Sequence, residues 1–456
     1  MALGKRKREQ QEMWVATGDL PKSPGHPFYR KLNGLLAEAG FDAWIERQCE
    51  PFYKADGPGR PSIAPGVYFR MILVGYFEGI ASQRGIAWRC SDSRSLAEFL
   101  GLPPTAATPD HSTLSRTHHR LPESVHADVF RFVLAIAQRK GLVAGQTVAV
   151  DSTTLEANAA IKSIVRKDTG ADWKEYLTRL AKDAGLEDPT DADLRKFDKT
   201  RKDKKVSNDE WESATDPDSR IARMKDGTTH LAYKAEHVVD LDTEFILAAA
   251  VYPANRADRA TLAESLVEAQ KNLMAAQSEA NISAVAADKG YHATEQLVRV
   301  THDLEIRTYI PEPRLAGERT WTGKPPEHRS AVCGNRRRAA GEKGKRLGRL
   351  RSEYCERTFA HVCETGGGRR CWLHGLVAVA KRYLLQVAAR NLGLLMRKLF
   401  GVGTARSLQG SAAAVLLLQL AIRALWATLW RIGRPSAPPR RLSTSRAPQP
   451  AILAVA

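Results

Sequence analysis

Apolar residues at Val67, Met71, Val74 and Phe77 recur at three- and four-residue intervals, the spacing that lines one face of a helix. The run from Gly59 to Leu102 is therefore predicted helical, with glycines at its turns, and Phe28 to Tyr53 reads the same way. In "TPDHSTLSR", Asp110 stands as a cap before a helix that reaches Arg120. Two short helices about a tight turn are expected here, the second carrying Ser112, Ser115, Arg116, His118, His119 and Arg120 as a helix-turn-helix reader would. From Thr147 the period changes. "TVAVDSTT" is a strand, and "THLAYKAEHVVD" and "TEFILAAAVYPA" flank Leu241-Asp242 as an antiparallel hairpin. "DRATLAESLVEAQKNLMAAQ" is an amphipathic helix with Leu262, Leu266, Ala269 and Leu273 on its apolar face. "ISAVAADKGYHA" is a strand closing at Asp288, a short helix starts at Ala293, and "EIRTYIPE" is a further strand. The broad apolar face of Leu376 to Phe400 marks a core helix.

Strand, hairpin, helix, strand, helix, strand is the element order of an RNase H-like sheet. The predicted fold class is α/β, an RNase H-like mixed sheet with flanking helices, preceded by an all-α amino-terminal domain. The domains are expected at 1–125 (helical, DNA-end-binding), 146–400 (the sheet domain) and 401–456 (a helix and a disordered basic tail). Two interruptions are expected within the sheet domain. Residues 161–228 form a charged insert with too few apolar residues for a core of its own, hence an exposed, mobile arm. Residues 311–345 form a basic loop. Between Pro311 and Ala360 there are 13 Lys and Arg against 6 Asp and Glu. The most apolar stretch, Ala412 to Trp430, is broken by Gln419 and Arg423. It falls short of the roughly 20 apolar residues of a membrane span and reads as a packed helix.

Charge changes the picture. The chain has 69 Lys and Arg against 51 Asp and Glu, a net +18 over 456 residues. Such an excess favours a polyanion, with nucleic acid first, because each cation meeting a phosphate releases a counterion. No apolar segment follows the basic start "MALGKRKREQQEMW", so no secretory signal is expected and the compartment reads as cytoplasmic. Six cysteines in so long a chain make no disulfide framework. Cys355, His361, Cys363, Cys371 and His374 lack the paired spacings of a zinc site.

The candidate chemistry lies in carboxylates. Asp151 closes the first strand and Asp288 the fourth, its neighbour in such a sheet. A third acid is wanted on the helix-like segment Gly348 to Gly367, where Glu353, Glu356 and Glu364 are available and spacing alone does not choose between the first two. Three carboxylates suit two Mg2+ ions, which activate a water and stabilise a leaving oxygen in phosphodiester cleavage. Mn2+ could substitute. On this reading metal, not a neighbouring Lys or Arg, neutralises Asp151.

"VAVDSTTLEANA", "AADKGYHA" and "ERTFAHVCETGGGRRCWLHGL" resemble the three acidic motifs of bacterial insertion-sequence DDE transposases, and "GRPSIAPGVYFRMILVGYFEGI" with "TPDHSTLSR" is similar to their amino-terminal domain. The resemblance runs from Phe28 to about Gly410. It implies an RNase H-like fold, with Asp151, Asp288 and Glu356 as catalytic metal ligands. It further implies cleavage of element ends, transfer of the 3′-OH to target DNA, and a homodimer on paired terminal inverted repeats at the nucleoid. A Tyr-x2-Arg-x3-Glu-x6-Lys pattern often surrounds the third acid in this family. Here Ser352 stands at its Arg and Cys363 at its Lys, leaving Arg351, Arg357, Arg369 or Arg370 for the phosphate contact. DNA contacts are expected from Arg116, His119, Arg120, Arg336, Arg337, Arg338, Lys343, Lys345, Arg346, Arg351 and Arg357, with Trp321 stacking on an unpaired base. The rival readings are a nuclease of this fold without strand transfer and a non-catalytic DNA-binding descendant.

Overall fold

The computed structural model describes residues 25–54, 62–201, 207–224, 227–314, 319–408 and 418–426, together with residues 14, 16, 18, 20 and 317. The described residues as far as Ala405 belong to one compact unit and those from Arg406 onward to another.

Seven helices open the first unit: α1 (Pro27–Glu38), α2 (Phe41–Cys49), α3 (Pro65–Glu78), α4 (Gln83–Ser91), α5 (Arg94–Phe99), α6 (His111–Arg120) and α7 (Glu123–Arg139). Gly40, at φ +70°, takes the left-handed turn that separates α1 from α2 within one helical-looking run. α3 is buried almost all round, and its Arg70 is held by Asn33 at 3.1 Å and by both oxygens of Asp42. Asp110 caps α6, accepting from the Thr113 N–H at 2.7 Å, and these hydrogen bonds bring its carboxyl down to about 2. The tight turn expected before α6 is not there. Residues 100–110 intervene, and Pro103, Pro104 and Pro109 hold that backbone out of a short helical turn. His118 faces inward to the Tyr68 hydroxyl at 3.1 Å, so Arg116, His119 and Arg120 alone of the expected basic readers lie on the exposed face of α6.

The strands are β1 (Thr147–Glu156), β2 (Ile164–Arg166), β3 (Trp211–Ser213), β4 (Arg220–Arg223), β5 (Thr229–Asp240), β6 (Ile246–Pro253), β7 (Ala284–Ala287) and β8 (Arg307–Tyr309). Across the main sheet the order is β6, β5, β1, β7, β8, with β4 extending the β6 edge of β5. β1, β5 and β6 are antiparallel, while β7 and β8 run parallel to β1. This is the RNase H-like mixed sheet expected from the element order. Its central strands are apolar on both faces because helices cover both.

The insert departs from expectation. It contains α8 (Trp173–Asp183), α9 (Asp191–Thr200), α10 (Ser207–Glu210) and the β2–β3 ribbon, so it is folded rather than a loose arm. Tyr176, Leu177, Leu194 and Trp211 supply a small core, and buried ion pairs make up the shortage of apolar residues. Glu210 lies between Arg166 at 3.0 Å and Arg201 at 2.5 Å, and the Arg166 guanidinium stacks 4.2 Å from the Tyr176 ring centre.

α11 (Asp258–Ala275) covers one face of the sheet and leads to β7, and α12 (Thr294–Val298) precedes β8. α11 ends in a Schellman turn, with Gln277 N–H donating to Met274 and Ser278 N–H to Leu273, and Gln277 at φ +60°. Gln277→Gly should stabilise the protein by about 1 kcal/mol, because that position favours residues without a Cβ. Thermal or denaturant unfolding measures this, and a lowered midpoint would show that the Gln277 side chain matters more than its backbone strain.

The basic loop is also helical: α13 (Pro326–Ala340) and α14 (Glu342–Phe359) take up most of it, α14 continuing into a π-helical turn at Ala360–Thr365. Its arginines lie on helices whose apolar residues Val332, Leu347 and Phe359 are buried. α15 (Leu376–Phe400) matches the expected core helix and packs between β6 and the helices α3 and α7. Asp216 and Asp218 of the insert cap its start through the N–H groups of Gly375 and Leu376.

Of the packed helix expected at Ala412 to Trp430, residues 418–426 are described; they are helical with exposed side chains, and the rest of that stretch lies outside the described residues. Gln419 and Arg423 break its apolar face, and Leu418, Leu425 and Trp426 stay in solvent. The tail from Arg434 lies outside the described residues. Among the described residues no helix is long and apolar enough to cross a membrane.

Candidate active site

The register between β1 and β7 builds the site. Val150 pairs with Ala287, so Asp151 and Asp288 are the next residues after the last pair of these two strands, whose backbones run about 4.8 Å apart where they pair. β1 continues to Glu156 along β5, whereas β7 stops, and Asp288 turns its side chain to accept the Gly290 N–H at 2.7 Å. Asp151 therefore lies mid-strand, not closing β1 as expected, level with the end of the β1–β7 pairing, where Asp288 follows β7.

α14 packs across this sheet. Its buried residues Gly344, Leu347, Cys355, Thr358 and Phe359 form one stripe, and Arg351 sits in the same stripe. Arg351 donates to Asp151 Oδ2 at 2.6 Å and to Ser352 Oγ at 3.0 Å, while Asp151 Oδ1 accepts the Ser152 N–H at 2.8 Å. Arg351 thus brings positive charge to Asp151. The Cys355 thiol is pushed well up by burial and by the charge of Asp151. His237, the cross-strand partner of Asp151, donates to or accepts from Thr358 and Tyr383 and stacks on Phe359. Burial, with Arg390 adding to it, holds this imidazole well below its usual range and therefore neutral.

The candidate glutamates of α14 differ in their partners. Arg357 bridges Glu353 and Glu244, and Glu244 lies in the β5–β6 turn at the amino end of β1. Lys343 and Arg346 act on Asp242 in that same turn. Glu356 follows Ser352 by four residues and so lies near it on the helix surface. Glu356 is exposed there. Arg369 reaches β1, donating to Thr153 Oγ1 at 3.2 Å and to the Thr154 carbonyl at 2.9 Å. Among the described residues no three His, Cys, Asp or Glu side chains stand close enough together to hold one ion. Asp151 and Asp288 nonetheless fit a hard cation in donor chemistry and in register.

Residues 19–120 match the family Transposase domain (DUF772), and residues 144–392, more than half of the chain, match Transposase DDE domain. The chain belongs to the DDE transposase family. No curated protein and no solved structure matches it.

Beneath the acids this transposase carries a polar network that sequence reasoning missed. On the sheet face opposite Asp151, Ser152 Oγ and Lys234 Nζ meet Asp258 Oδ1 at 2.9 and 3.0 Å. The fully buried Glu236 accepts from Thr261 at 2.6 Å, Tyr291 at 2.8 Å and Ser265. Tyr291 belongs to the Asp-Lys-Gly-Tyr stretch after β7, so Glu236 anchors the turn that aims Asp288. A Cβ at Gly290 would lie 3.0 Å from both Asp258 Oδ2 and Asp288 Oδ1, so any larger residue there would have to push these carboxylates aside. The signal was present: Lys234 and Glu236 are two residues apart in an otherwise apolar strand, where a charge must find a partner.

The remaining basic candidates of the transposase divide by their partners. Arg336 is tied to Glu312 at 2.7 Å and Arg338 to the Thr308 carbonyl at 3.0 Å. Arg337, Lys343, Lys345 and Arg346 are exposed on α13 and α14. Trp321 is half-buried, with Lys324 Nζ 5.9 Å from its ring centre. The thiols of Cys363 and Cys371 are pushed up by burial to about 11 and about 12.

Proposed function

We propose that the transposase cleaves the ends of an insertion element and joins the freed 3′-OH to target DNA by transesterification, with Asp151, Asp288 and Glu356 holding divalent metal. The observation that carries this reading is the β1–β7 register, which sets Asp151 beside Asp288 at the end of the β1–β7 pairing under α14. Two Mg2+ ions, or Mn2+ in their place, would activate the attacking oxygen and stabilise the leaving one. The chain's own residues position and bind. Glu236 and Tyr291 aim Asp288, Arg369 offers a cation on the Asp151 side, and Arg116, His119 and Arg120 present a basic face to the terminal repeats. Processing two ends together requires a homodimer in this scheme.

A labelled element-end duplex incubated with Mg2+ and a plasmid target tests the reading. Native protein should nick the end and give joined product. Glu356→Gln should cut about a thousandfold more slowly, since a metal ligand supports several kcal/mol of transition-state stabilisation. Glu353→Gln should cut within about threefold of native, because Glu353 serves Arg357. Nicking without joining would replace the transposase reading by a nuclease; binding without nicking would favour a non-catalytic DNA-binding role.

A further inference from the structure

We propose that Arg351 is an exchangeable internal cation, holding Asp151 until a divalent ion claims that carboxylate and then turning to a DNA phosphate. This rests on the metal-ligand reading of Asp151 given above and adds a competitor for it. The guanidinium already takes Oδ2 while Oδ1 accepts the Ser152 N–H, so an ion on Asp151 would compete with Arg351 for one carboxylate charge. Two positive charges on one carboxylate repel each other, so an arriving ion loosens the hold of Arg351.

The geometry allows it to leave. Asp151 and Arg351 side chains are 20% and 18% exposed, so the pair is open to solvent and to an incoming ion. The other end of the guanidinium is held by Ser352 Oγ, a neutral group. One turn earlier Gly348 leaves open space: a Cβ there would meet nothing within 4 Å. That space lies on the flank of α14 shared with Ser352 and Glu356, where a displaced guanidinium would meet DNA rather than the sheet. Arg357 makes the contrast. It binds two carboxylates, Glu244 and Glu353, and has no comparable reason to move. Holding Asp151 this way keeps a half-buried carboxylate paired and correctly aimed before metal arrives.

The test uses Mn2+ as the probe and the full chain without DNA, with bound ion measured from the loss of the free Mn2+ electron paramagnetic resonance signal. Arg351→Gln should bind Mn2+ about tenfold more tightly than native protein, the scale on which neighbours tune metal affinity. Arg351→Met should do the same, guarding against a folding defect in either variant, which thermal melting also monitors. The gain should vanish when Asp151→Asn is added. Both single variants should also bind element-end duplex several-fold more weakly. Unchanged or weaker Mn2+ binding by both Arg351 variants, while Asp151→Asn still impairs the native chain, overturns the exchange alone. If Asp151→Asn leaves native Mn2+ binding untouched, the metal-ligand reading falls and the exchange with it.

Discussion

Asp288→Asn should bind an element-end duplex as native protein does and cut it at least about a thousandfold more slowly. The substitution isolates chemistry from folding. An asparagine side-chain oxygen still accepts the Gly290 N–H that forms the turn after β7, and Tyr291 still ties that turn to Glu236. What is lost is the negative charge one residue beyond the Val150–Ala287 pair. Asp151→Asn should stop cutting as completely but is a less clean experiment, since it also strips Arg351 of its charged partner. Single-turnover cleavage, fluorescence anisotropy of labelled duplex and thermal melting separate these effects. Normal cutting by Asp288→Asn would remove this residue from the metal site.

Glu210→Ala should unfold the insert while leaving the sheet intact. Glu210 is 4% exposed and sits between Arg166 and Arg201, whose side chains are 10% and 3% exposed. Removing the shared carboxylate takes one partner from each of two buried guanidinium groups, at a cost of a few kcal/mol, about the 3–5 kcal/mol of a broken buried pair at most. Asp168 and Asp198 each retain one arginine, so the loss should stay local and not spread to β1. Hydrogen exchange should show lost protection at 164–213 with β5 and β7 unchanged, and limited proteolysis should cut within 167–201. Protection that survives would mean the Tyr176, Leu194 and Trp211 core holds the insert without the ion pairs.

The contrast between these two regions explains what could be read in the sequence. β1, β5, β6, β7 and α15 were legible because each buries a repeating apolar pattern against a neighbour, and pattern is what burial writes into sequence. Asp151 and Asp288 were legible for the converse reason: a carboxylate following an apolar run needs a partner, although β1 proves to run on past Asp151 to Glu156. The insert misled because Arg166, Arg201 and Glu210 are interior residues that look like surface ones, and no periodicity marks an ion pair closed across 44 residues of sequence. The supposed basic loop misled in a related way. Its arginines lie on helices whose buried stripes are thin, with glycines such as Gly344 inside the stripe. The choice between Glu353 and Glu356 was not legible because the two lie three residues apart on one helix, where spacing alone does not distinguish them. The network joining Ser152, Lys234, Glu236, Asp258 and Tyr291 could be suspected from two charges in β5, but its members lie on four elements that only the sheet brings together.

The placement of α15 bears on how the protein is made. The helix fills the gap between β6 and the helices α3 and α7, so the layer joining the amino-terminal helices to the sheet comes from nearly the last part of the first unit to leave the ribosome. Until Leu376 to Phe400 emerge, the apolar sides of α3 and α7 that α15 will cover have no native partner, although the whole amino-terminal region has already been translated. Domains ordinarily fold in order of synthesis; here the helical region must wait for the end of the unit. A chain interrupted before α15 therefore leaves that joint unformed, and the helical region and the sheet mature together as the unit is completed.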